Sequence, residues 1–241
     1  MKAVVIGANG YFGLNLVARL KKRDIFVTAC GKDLDNYSYA DCHLNIDITN
    51  PQSVSKIDFS CDVVYMLAGI SGTVRGFEEY HKFITVNEIG LLNILNEYVK
   101  QNSKALFVFP SSRLVYEGSK EPIDENGVIN PKTIYAANKV VCEHYIKMYN
   151  SRFNVRYSIF RIGLPYGGIV LNKMPNVTIG FMIESAIKEG NIKLFGGGMQ
   201  KRTFTHIQYI CDIFIDTIYN HKMENRSEEH TSELQSPMYL V

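Results

Sequence analysis

The sequence has little net charge, few cysteines and no long apolar stretch, and each of these absences excludes a class of function. Its 241 residues carry a formal charge of +2, which is too small to indicate a nucleic-acid or membrane-surface role. The 5 cysteines are widely spaced and form no Cys-x-x-Cys pair, which favours reduced thiols over disulfides and predicts no metal site. No stretch approaches the roughly 20 apolar residues that cross a bilayer, and Met1–Ile6 leads into glycines rather than into a signal-peptide core. We therefore expect a soluble, cytoplasmic protein.

Short apolar runs alternate with amphipathic helical patterns over the first two thirds of the chain. The runs Ala3–Ile6, Phe26–Cys30 and Ala105–Phe109 are nearly all apolar, which is typical of parallel strands buried on both faces. Between such runs, apolar residues recur at helical spacing. This alternation predicts an α/β fold, a Rossmann-type doubly wound parallel sheet. After Gly163 the chain turns to loops rich in Gly, Pro and Asn, so we expect a small, truncated C-terminal lobe.

The last residues need a separate interpretation. Residues 226–236 read Arg-Ser-Glu-Glu-His-Thr-Ser-Glu-Leu-Gln-Ser, which looks like the in-frame translation of a common sequencing adapter. A solvated acidic tail would have a similar composition, but the match is too long for chance. We therefore set this segment aside from the fold and expect the native chain to continue past Asn225.

A glycine-rich turn follows the first predicted strand and opens the first predicted helix. Glycines at this point allow a tight turn and a close approach of the backbone to a pyrophosphate, with the helix N-terminus facing the anion. The strand–turn–helix context makes a dinucleotide site the preferred interpretation over a purely structural turn. The candidate cofactor-binding residues of the turn are Gly7, Asn9, Gly10, Tyr11, Phe12 and Gly13.

The end of the second predicted strand bears on which dinucleotide is bound. An acidic residue there would bind the ribose 2′-hydroxyl of NAD, whereas this chain has Gly31-Lys32, with Asp33 one step later. A small residue and a cation leave room and charge for a 2′-phosphate, so NADP is mildly favoured over NAD; a solvated loop lysine is the alternative. Asp47-Ile48, after the next short strand, is a candidate contact to the adenine, or Asp47 caps the turn that follows.

Tyr135 and Lys139 are four residues apart and therefore share one face of a predicted helix. A lysine near the phenol would favour the ionised form and lower the pKa of Tyr135 from about 10 toward the working pH. The Ser111-Ser112 pair ends an apolar run upstream. A serine hydroxyl, a tuned phenol and a dinucleotide site together predict a hydride-transfer centre.

The ordered set of motifs resembles the extended short-chain dehydrogenases/reductases, in particular the NAD(P)-dependent epimerase/dehydratase family that acts on nucleotide sugars. The resemblance covers about residues 1–219. The matching motifs are Gly7–Gly13, Asp47-Ile48, Leu67-Ala68-Gly69, Asn87, Ser111-Ser112 with Val115-Tyr116, Tyr135–Lys139, Glu143-His144-Tyr145 and Arg161 with Pro165-Tyr166-Gly167.

The resemblance implies roles for individual residues. Tyr135 is the general acid/base for a sugar hydroxyl, Lys139 binds the nicotinamide ribose, and Ser112 hydrogen-bonds the reacting oxygen. Asn87 holds a backbone kink or a relay water, with a helix cap as the alternative. The remaining implied contacts are Leu67, Ala68 and Gly69 to the cofactor, and Ser111, Arg113 and Arg202 to the substrate.

The chain also departs from the family pattern. Dehydratases carry an Asp-Glu pair after the active-site hydroxyl residue, whereas this chain has Arg113-Leu114, which supplies no acid for a leaving hydroxyl. This argues against 4,6-dehydration. Leu164 replaces an Asn, which removes one expected contact to the nucleotide sugar, and Tyr209 replaces a downstream Asp of the family pattern. His206 fits a structural histidine better than a ligand.

The favoured function is an NAD(P)-dependent nucleotide-sugar epimerase that oxidises the sugar transiently to a keto-sugar. The alternatives are an NADPH-dependent reductase of a keto-sugar nucleotide or other carbonyl, and a non-catalytic dinucleotide-binding sensor. We assign residues 1–163 to the NAD(P)-binding domain with the catalytic residues, 164–225 to a partial substrate-binding lobe plus a returning segment, and 226–241 to a non-native tail. The expected partners are a nucleotide sugar and, in the full-length form, a second copy of the chain.

Overall fold

The computed structural model describes residues 1–32, 39–118, 123–169, 177–192, 194, 198, 202–220 and 224–228. Asp33 and residues 229–241, whose sequence is interpreted above, lie outside this part. The strands within it are β1 Lys2–Ile6, β2 Phe26–Gly31, β3 Cys42–Asn45, β4 Val63–Met66, β5 Leu106–Ser112, β6 Tyr157–Ile162, β7 Leu164–Tyr166, β8 Phe204–His206 and β9 Arg226–Glu228.

The larger sheet has the strand order β3-β2-β1-β4-β5-β6-β9, and every pairing in it is parallel. The order reverses between β1 and β4, which is the topological switch point of a doubly wound fold. The predicted Rossmann-type α/β fold is therefore confirmed. In such sheets ligands bind at the carboxyl ends of the strands beside the switch point.

Helices cover both faces of this sheet. The α-helices of the described residues are α1 Tyr11–Lys21, α2 Pro51–Val54, α3 Arg75–Glu78, α4 Tyr80–Phe83, α5 Gly90–Lys100, α6 Ile134–Phe153, α7 Thr178–Glu189 and α8 Ile207–Asp216. Leu16 of α1 and Phe214 of α8 belong to the core cluster on one face, whereas Leu95 of α5 and Ile146 of α6 belong to the cluster on the other. Burial of each such side chain contributes about 1.5–3 kcal/mol, which fixes the helices against the sheet.

A π-helical segment, Ile84–Ile89, joins α4 to α5, so that one helical run extends from Tyr80 to Lys100. Such segments are rare and occur mainly at functional sites. Asn87 lies inside this segment and is buried. The sequence pattern predicted a helix here but gave no indication of its irregular turn.

The chain after β6 forms a small second sheet and then returns to the first core. Strands β7 and β8 pair in parallel, and α8 packs against α1. Arg19 forms an ion pair with Asp212, and the ring of Phe214 lies 5.1 Å from that of Phe160. Strand β9 pairs with β6. Residues 226–228 are therefore part of the sheet, although the sequence analysis set residues 226–236 aside from the fold. Strand pairing uses only main-chain groups, so side-chain composition did not predict it.

Two further observations bear on the expected environment of the protein. All 5 cysteines are free. Among the described helices, none combines the length and apolar character that a membrane crossing requires.

Candidate active site

Ser112 and Tyr135 lie together at the carboxyl end of the sheet, where the Ser112 hydroxyl acts on the phenol and partly opposes the rise of its pKa. Ser112 ends β5, and its Oγ accepts a hydrogen bond from the Leu114 amide at 3.2 Å. Tyr135 lies in the first turn of α6, whose N-cap is Thr133; the Thr133 Oγ1 accepts from the Ala136 amide at 3.1 Å. Two local caps thus hold the two hydroxyl groups toward each other.

Lys139 lies one turn after Tyr135 and points to the same strand end. Its Nζ donates a hydrogen bond to the carbonyl oxygen of Pro110 at 2.7 Å and lies 4.4 Å from the ring centroid of Phe109. The distance from Nζ to the ring centroid of Tyr135 is 5.8 Å. Burial lowers the pKa of Lys139 to about 8. The amine therefore titrates close to neutral pH. One of its N–H groups bonds to Pro110, and the others can donate to a ligand.

The prediction that Lys139 lowers the pKa of Tyr135 is wrong. Burial raises the pKa of Tyr135 to about 12, and the hydrogen bond from Ser112 opposes that effect only in part. Lys139 does not lower the pKa because its hydrogen bond goes to Pro110, and because its own charge is weakened by burial. Tyr135 is consequently a protonated phenol at neutral pH, ready to act first as a hydrogen-bond donor.

The glycine turn packs directly on the end of β4. A Cβ at Gly7, where φ is +90°, would lie 2.5 Å from the amide nitrogen of Ala68, and a Cβ at Gly13 would lie 2.2 Å from the carbonyl oxygen of Gly7. Only glycine is compatible with both contacts. Gly10 is the N-cap of α1 and forms no side-chain cap, so the first amide groups of the helix stay open to an anion. These residues fit the pyrophosphate of a dinucleotide.

Two other predicted residues of the turn hold neighbouring parts of the fold. The Tyr11 hydroxyl donates to the carbonyl oxygen of Gly167 at 2.7 Å, and burial raises the pKa of Tyr11 to about 12. Phe12 packs against the core cluster of α1. Leu67 packs against the same cluster and Ala68 against the cluster on the opposite face. Their side chains are structural, and their backbone lines the turn.

The end of β2 carries an ion pair that the sequence did not reveal. The Nζ of Lys32 lies 2.8 Å from Oδ2 of Asp47, which lowers the pKa of Asp47. Oδ1 of Asp47 accepts from the Thr49 amide at 2.9 Å and so holds the turn that follows, whereas the N-cap of α2 is Asn50 and not Asp47. Gly31 leaves room for Asn9, whose Oδ1 would lie 2.7 Å from a Cβ at that position. The positive charge of Lys32 is thus already paired.

Ile48 differs from its predicted role. Its side chain is buried in the cluster covered by α5 and lies where a Cβ on Gly90 would meet it at 2.7 Å. Its carbonyl oxygen accepts from Nδ2 of Asn93 at 2.9 Å. The Ile48 side chain is therefore a packing residue and not an exposed contact for adenine.

Asn87 clamps the backbone that follows β4. Its Oδ1 accepts from the Ile70 amide at 2.8 Å, and its Nδ2 donates to the Ile70 carbonyl at 3.0 Å. A Cβ on Gly69 would lie 3.0 Å from the same Oδ1. The position is the middle of a continuous helical run, so the helix-cap alternative does not apply, and the geometry fits a residue that holds a kink.

The three predicted substrate contacts lie in different environments. Ser111 is 4% exposed, and its hydroxyl donates to Oε1 of Glu143, so this residue faces the interior and its assignment as a substrate contact is corrected. Phe107, Phe109 and Ser111 alternate along β5 on the face toward α6. Arg113 is partly exposed in the 3₁₀ turn after β5, and Arg202 is exposed just before β8.

His206 and the Glu143–Arg161 pair both have structural roles, and only the role of His206 was predicted. His206 is the N-cap of α8, and its Nδ1 accepts from the Gln208 amide at 3.3 Å, as expected of a structural histidine. The buried Glu143–Arg161 ion pair was not predicted, although both residues lie in matching motifs. The signal that could have identified it is a carboxylate four residues after Lys139, on a helix face that is otherwise buried.

A family profile described as the NAD dependent epimerase/dehydratase family matches residues 3–230. The chain belongs to this family. The predicted resemblance is thereby confirmed, and with it membership of a family of NAD-dependent enzymes in the short-chain dehydrogenase/reductase superfamily.

Curated relatives are named as sugar-nucleotide epimerases. A putative UDP-glucose 4-epimerase of Methanocaldococcus jannaschii is 28% identical over 214 residues, which are 85% of this chain and 69% of the relative. A UDP-glucuronate 4-epimerase of Thermodesulfobacterium geofontis is 32% identical over 169 residues, which are 69% of this chain and 51% of the relative. The chain thus spans between about half and about two thirds of these proteins.

Solved structures with the same fold are available for comparison. The UDP-glucuronic acid 4-epimerase of Bacillus cereus, in complex with UDP-glucuronic acid and NAD, superimposes with a TM-score of 0.84 at 23% identity, over 95% of this chain and 77% of that one. The UDP-glucose 4-epimerase of Thermus thermophilus, in complex with NAD, gives 0.79 at 20% identity, over 91% and 75%. At these identities the likeness concerns the fold.

Proposed function

We propose that this protein is a nucleotide-sugar epimerase that oxidises its substrate transiently to a keto-sugar and reduces it on the opposite face. The observation that carries the proposal is that three groups meet at one strand end. The Nζ of Lys139 lies 5.8 Å from the ring centroid of Tyr135, and it is bonded to the carbonyl oxygen of Pro110, two residues before Ser112. The names of the relatives, which are UDP-sugar 4-epimerases, support a UDP-sugar as the substrate and C4 as the first carbon to test.

The chain's own residues supply the proton chemistry. A nicotinamide dinucleotide, when bound, supplies the hydride acceptor and donor; Gly7, Gly10 and Gly13 would hold its pyrophosphate. Once a protonated Lys139 beside the bound cofactor favours its ionised form, Tyr135 takes the proton of the reacting sugar hydroxyl and later returns it. Ser112 donates a hydrogen bond to the same oxygen. Lys139 binds the nicotinamide ribose and, if protonated there, favours the ionised phenol.

Two arginines are the proposed substrate contacts. Arg202 suits a pyrophosphate because its planar guanidinium matches phosphate oxygens in a bidentate manner. Arg113 follows Ser112 directly and would lie beside the sugar. Since Arg113-Leu114 offers no carboxylic acid, dehydration is not part of the proposal.

We propose NAD as the cofactor, in place of the mild preference for NADP that Gly31-Lys32 indicated. The ion pair between Lys32 and Asp47 neutralises the charge that a 2′-phosphate would need. The presence of NAD in the named epimerase structures supports this choice. An epimerase also regenerates its cofactor in every turnover and has no need of the NADPH pool.

The proposal is tested by incubating the purified protein with UDP-glucose, UDP-glucuronate or UDP-N-acetylglucosamine and following the sugar protons by NMR. Appearance of the C4 epimer without net conversion of added NAD to NADH supports the epimerase. Stoichiometric oxidation of NADPH by a keto-sugar nucleotide would instead identify the reductase. Cofactor binding without turnover of any sugar or carbonyl compound would favour the sensor.

We further propose that the protein pairs with a second copy of itself. Large apolar side chains are exposed on two adjacent helical runs, including Ile84 and Ile89 on one and Met148 and Phe153 on the other. Such a patch indicates a contact surface, and a two-fold symmetric pair is the commonest assembly. Light scattering of the purified protein, compared with a Met148→Glu variant, tests this: a dimeric mass lost in the variant supports the proposal.

A further inference from the structure

A buried ion pair joins the helix of Tyr135 to the neighbouring strand. Glu143 lies eight residues after Tyr135 on α6, about 12 Å further along the helix axis. Its Oε2 accepts from Nη2 of Arg161 at 2.7 Å, and its Oε1 accepts from Nε at 3.1 Å. The exposed fractions of Glu143 and Arg161 are 3% and 5%. The pair is bidentate, and it lies among β5, β6 and α6.

The remaining donors of Arg161 hold a segment on the other side. Nη1 donates to the Tyr116 hydroxyl at 2.8 Å and to the Glu125 carbonyl at 3.1 Å. The guanidinium also lies 4.8 Å from the ring centroid of Tyr116. Tyr116 follows the 3₁₀ turn that Ser112 caps. Arg161 therefore orients Glu143 on α6 and, through Tyr116, also holds the chain that follows the 3₁₀ turn.

Glu143 is also the point at which the end of β5 is attached to α6. The hydroxyl of Ser111 donates to Oε1 of Glu143, and Ser111 pairs in register with Arg161. The adjacent residue, Ser112, ends β5 beside Tyr135. The strand end that carries Ser112 is thus attached, through Ser111, to the helix that carries Tyr135. This attachment limits how far Ser112 can move from Tyr135.

Stability alone does not account for this arrangement. Replacing a buried ion pair with apolar side chains of similar volume is often neutral or stabilising, because desolvation of the charges costs as much as their attraction returns. What an apolar pair cannot supply is a directional acceptor for Ser111. The direction of that bond is what bears on the site.

We propose that Glu143, oriented by Arg161, is a positioning residue that acts through Ser111 to hold the Ser112 hydroxyl against Tyr135. This inference deepens the proposed function and depends on it for its catalytic meaning. Its structural content concerns the position of the Ser112 hydroxyl beside Tyr135 and is measurable without any substrate.

The test is a double-mutant cycle between Ser111→Ala and Ser112→Ala. Protein labelled with ¹³C at the tyrosine Cζ is observed by NMR near neutral pH, and the Tyr135 resonance is assigned with Tyr135→Phe. We expect Ser112→Ala to shift this resonance, Ser111→Ala to shift it in the same direction, and Ser111→Ala to add no shift in the Ser112→Ala background. Ser158→Ala is the matched control, a buried serine of β6 away from this pair, and it should leave the resonance in place.

A folded Ser111→Ala protein with an unshifted Tyr135 resonance, or additive shifts in the cycle, would overturn the proposal. If the alanine variant does not fold, Ser111→Cys keeps the size of the side chain with a much weaker donor and gives the same comparison. Ser111→Thr keeps the hydroxyl and should restore the wild-type resonance. With a substrate that turns over, kcat should fall about tenfold to a hundredfold in Ser111→Ala at unchanged KM. Absence of turnover would refute the epimerase while leaving the NMR result decisive for the positioning role.

Discussion

The Nζ of Lys139 is bonded to the carbonyl oxygen of Pro110 at 2.7 Å, two residues before Ser112 on the same strand. The lysine is therefore held by the strand that carries the serine and does not hydrogen-bond the tyrosine. This arrangement keeps all three functional groups together while leaving Tyr135 with a raised pKa and Lys139 with a lowered one. A ligand that bonds to Lys139 in place of Pro110 would change the pKa values of both Lys139 and Tyr135.

The lowered pKa of Lys139 predicts a pH dependence of stability. Its folded pKa of about 8 lies below the unfolded value of 10.5, so the unfolded chain binds more protons between these values and stability rises with pH there. Lys139→Met removes the contribution and should be the more stable protein near neutral pH. Its advantage should shrink by an amount on the order of 1 kcal/mol by about pH 9.5, allowing for partial exposure. Urea unfolding at the two pH values measures this, and Lys100→Met, an exposed lysine on α5, is the control. A constant advantage would contradict the prediction.

Tyr135→Phe should abolish turnover and leave the fold and cofactor binding intact. The change removes one oxygen, which is the group that exchanges the proton, and general acid–base catalysis contributes about a hundredfold to ten-thousandfold. Calorimetric titration with NAD and sugar NMR measure the two properties separately. Tyr145→Phe removes the same atom from another tyrosine of α6 and should retain the wild-type rate. Comparable rates in both variants would show that another group is the base.

The sheet could be predicted from the sequence because it depends on patterns of neighbouring residues. Runs such as Ala3–Ile6 are apolar without alternation, and glycines mark where the first strand ends. The same reasoning grouped the Ser111-Ser112 pair with Tyr135 and Lys139, and the family resemblance selected Ser112. The structure adds that β5 continues through both serines.

The remaining differences arise from contacts between residues far apart in the chain. Nothing in the Ser111-Ser112 pair tells which hydroxyl bonds to a buried carboxylate, because that depends on how the strand meets Glu143. The charge of Lys32 cannot be assigned to a phosphate without knowing that Asp47 lies beside it. The direction in which the pKa of Tyr135 shifts depends on the burial of its side chain, and the spacing of residues along a helix does not give that burial.

Asn87→Ala should destabilise the protein by about 1–3 kcal/mol, because it leaves both the amide and the carbonyl of Ile70 without their side-chain partner. Turnover should fall as well, since the segment after β4 borders the glycine turn. Urea unfolding monitored by circular dichroism gives the change in free energy. Asn96→Ala on the exposed side of α5 removes one bond to the Tyr149 hydroxyl and should cost less. Equal losses of unfolding free energy in the two variants would mean that the bonds of Asn87 to Ile70 stabilise the fold no more than the bond of Asn96 to Tyr149.

Asp47→Asn should shift cofactor selectivity toward NADP. Asparagine keeps an oxygen for the Thr49 amide, so the turn survives, but it releases the charge of Lys32 for a 2′-phosphate. The pair is exposed and worth about 0.2–1 kcal/mol, so the ratio of NADP to NAD affinity should rise by about one and a half to fivefold. Calorimetric titration of each cofactor measures the ratio, and adding Lys32→Ala should return it to the wild-type value or below. Asp41→Asn disrupts the comparable exposed pair with Lys21 and should leave the ratio unchanged. If Asp47→Asn leaves it unchanged too, Lys32 lies out of reach of the 2′ position, and NAD is selected by shape rather than by charge.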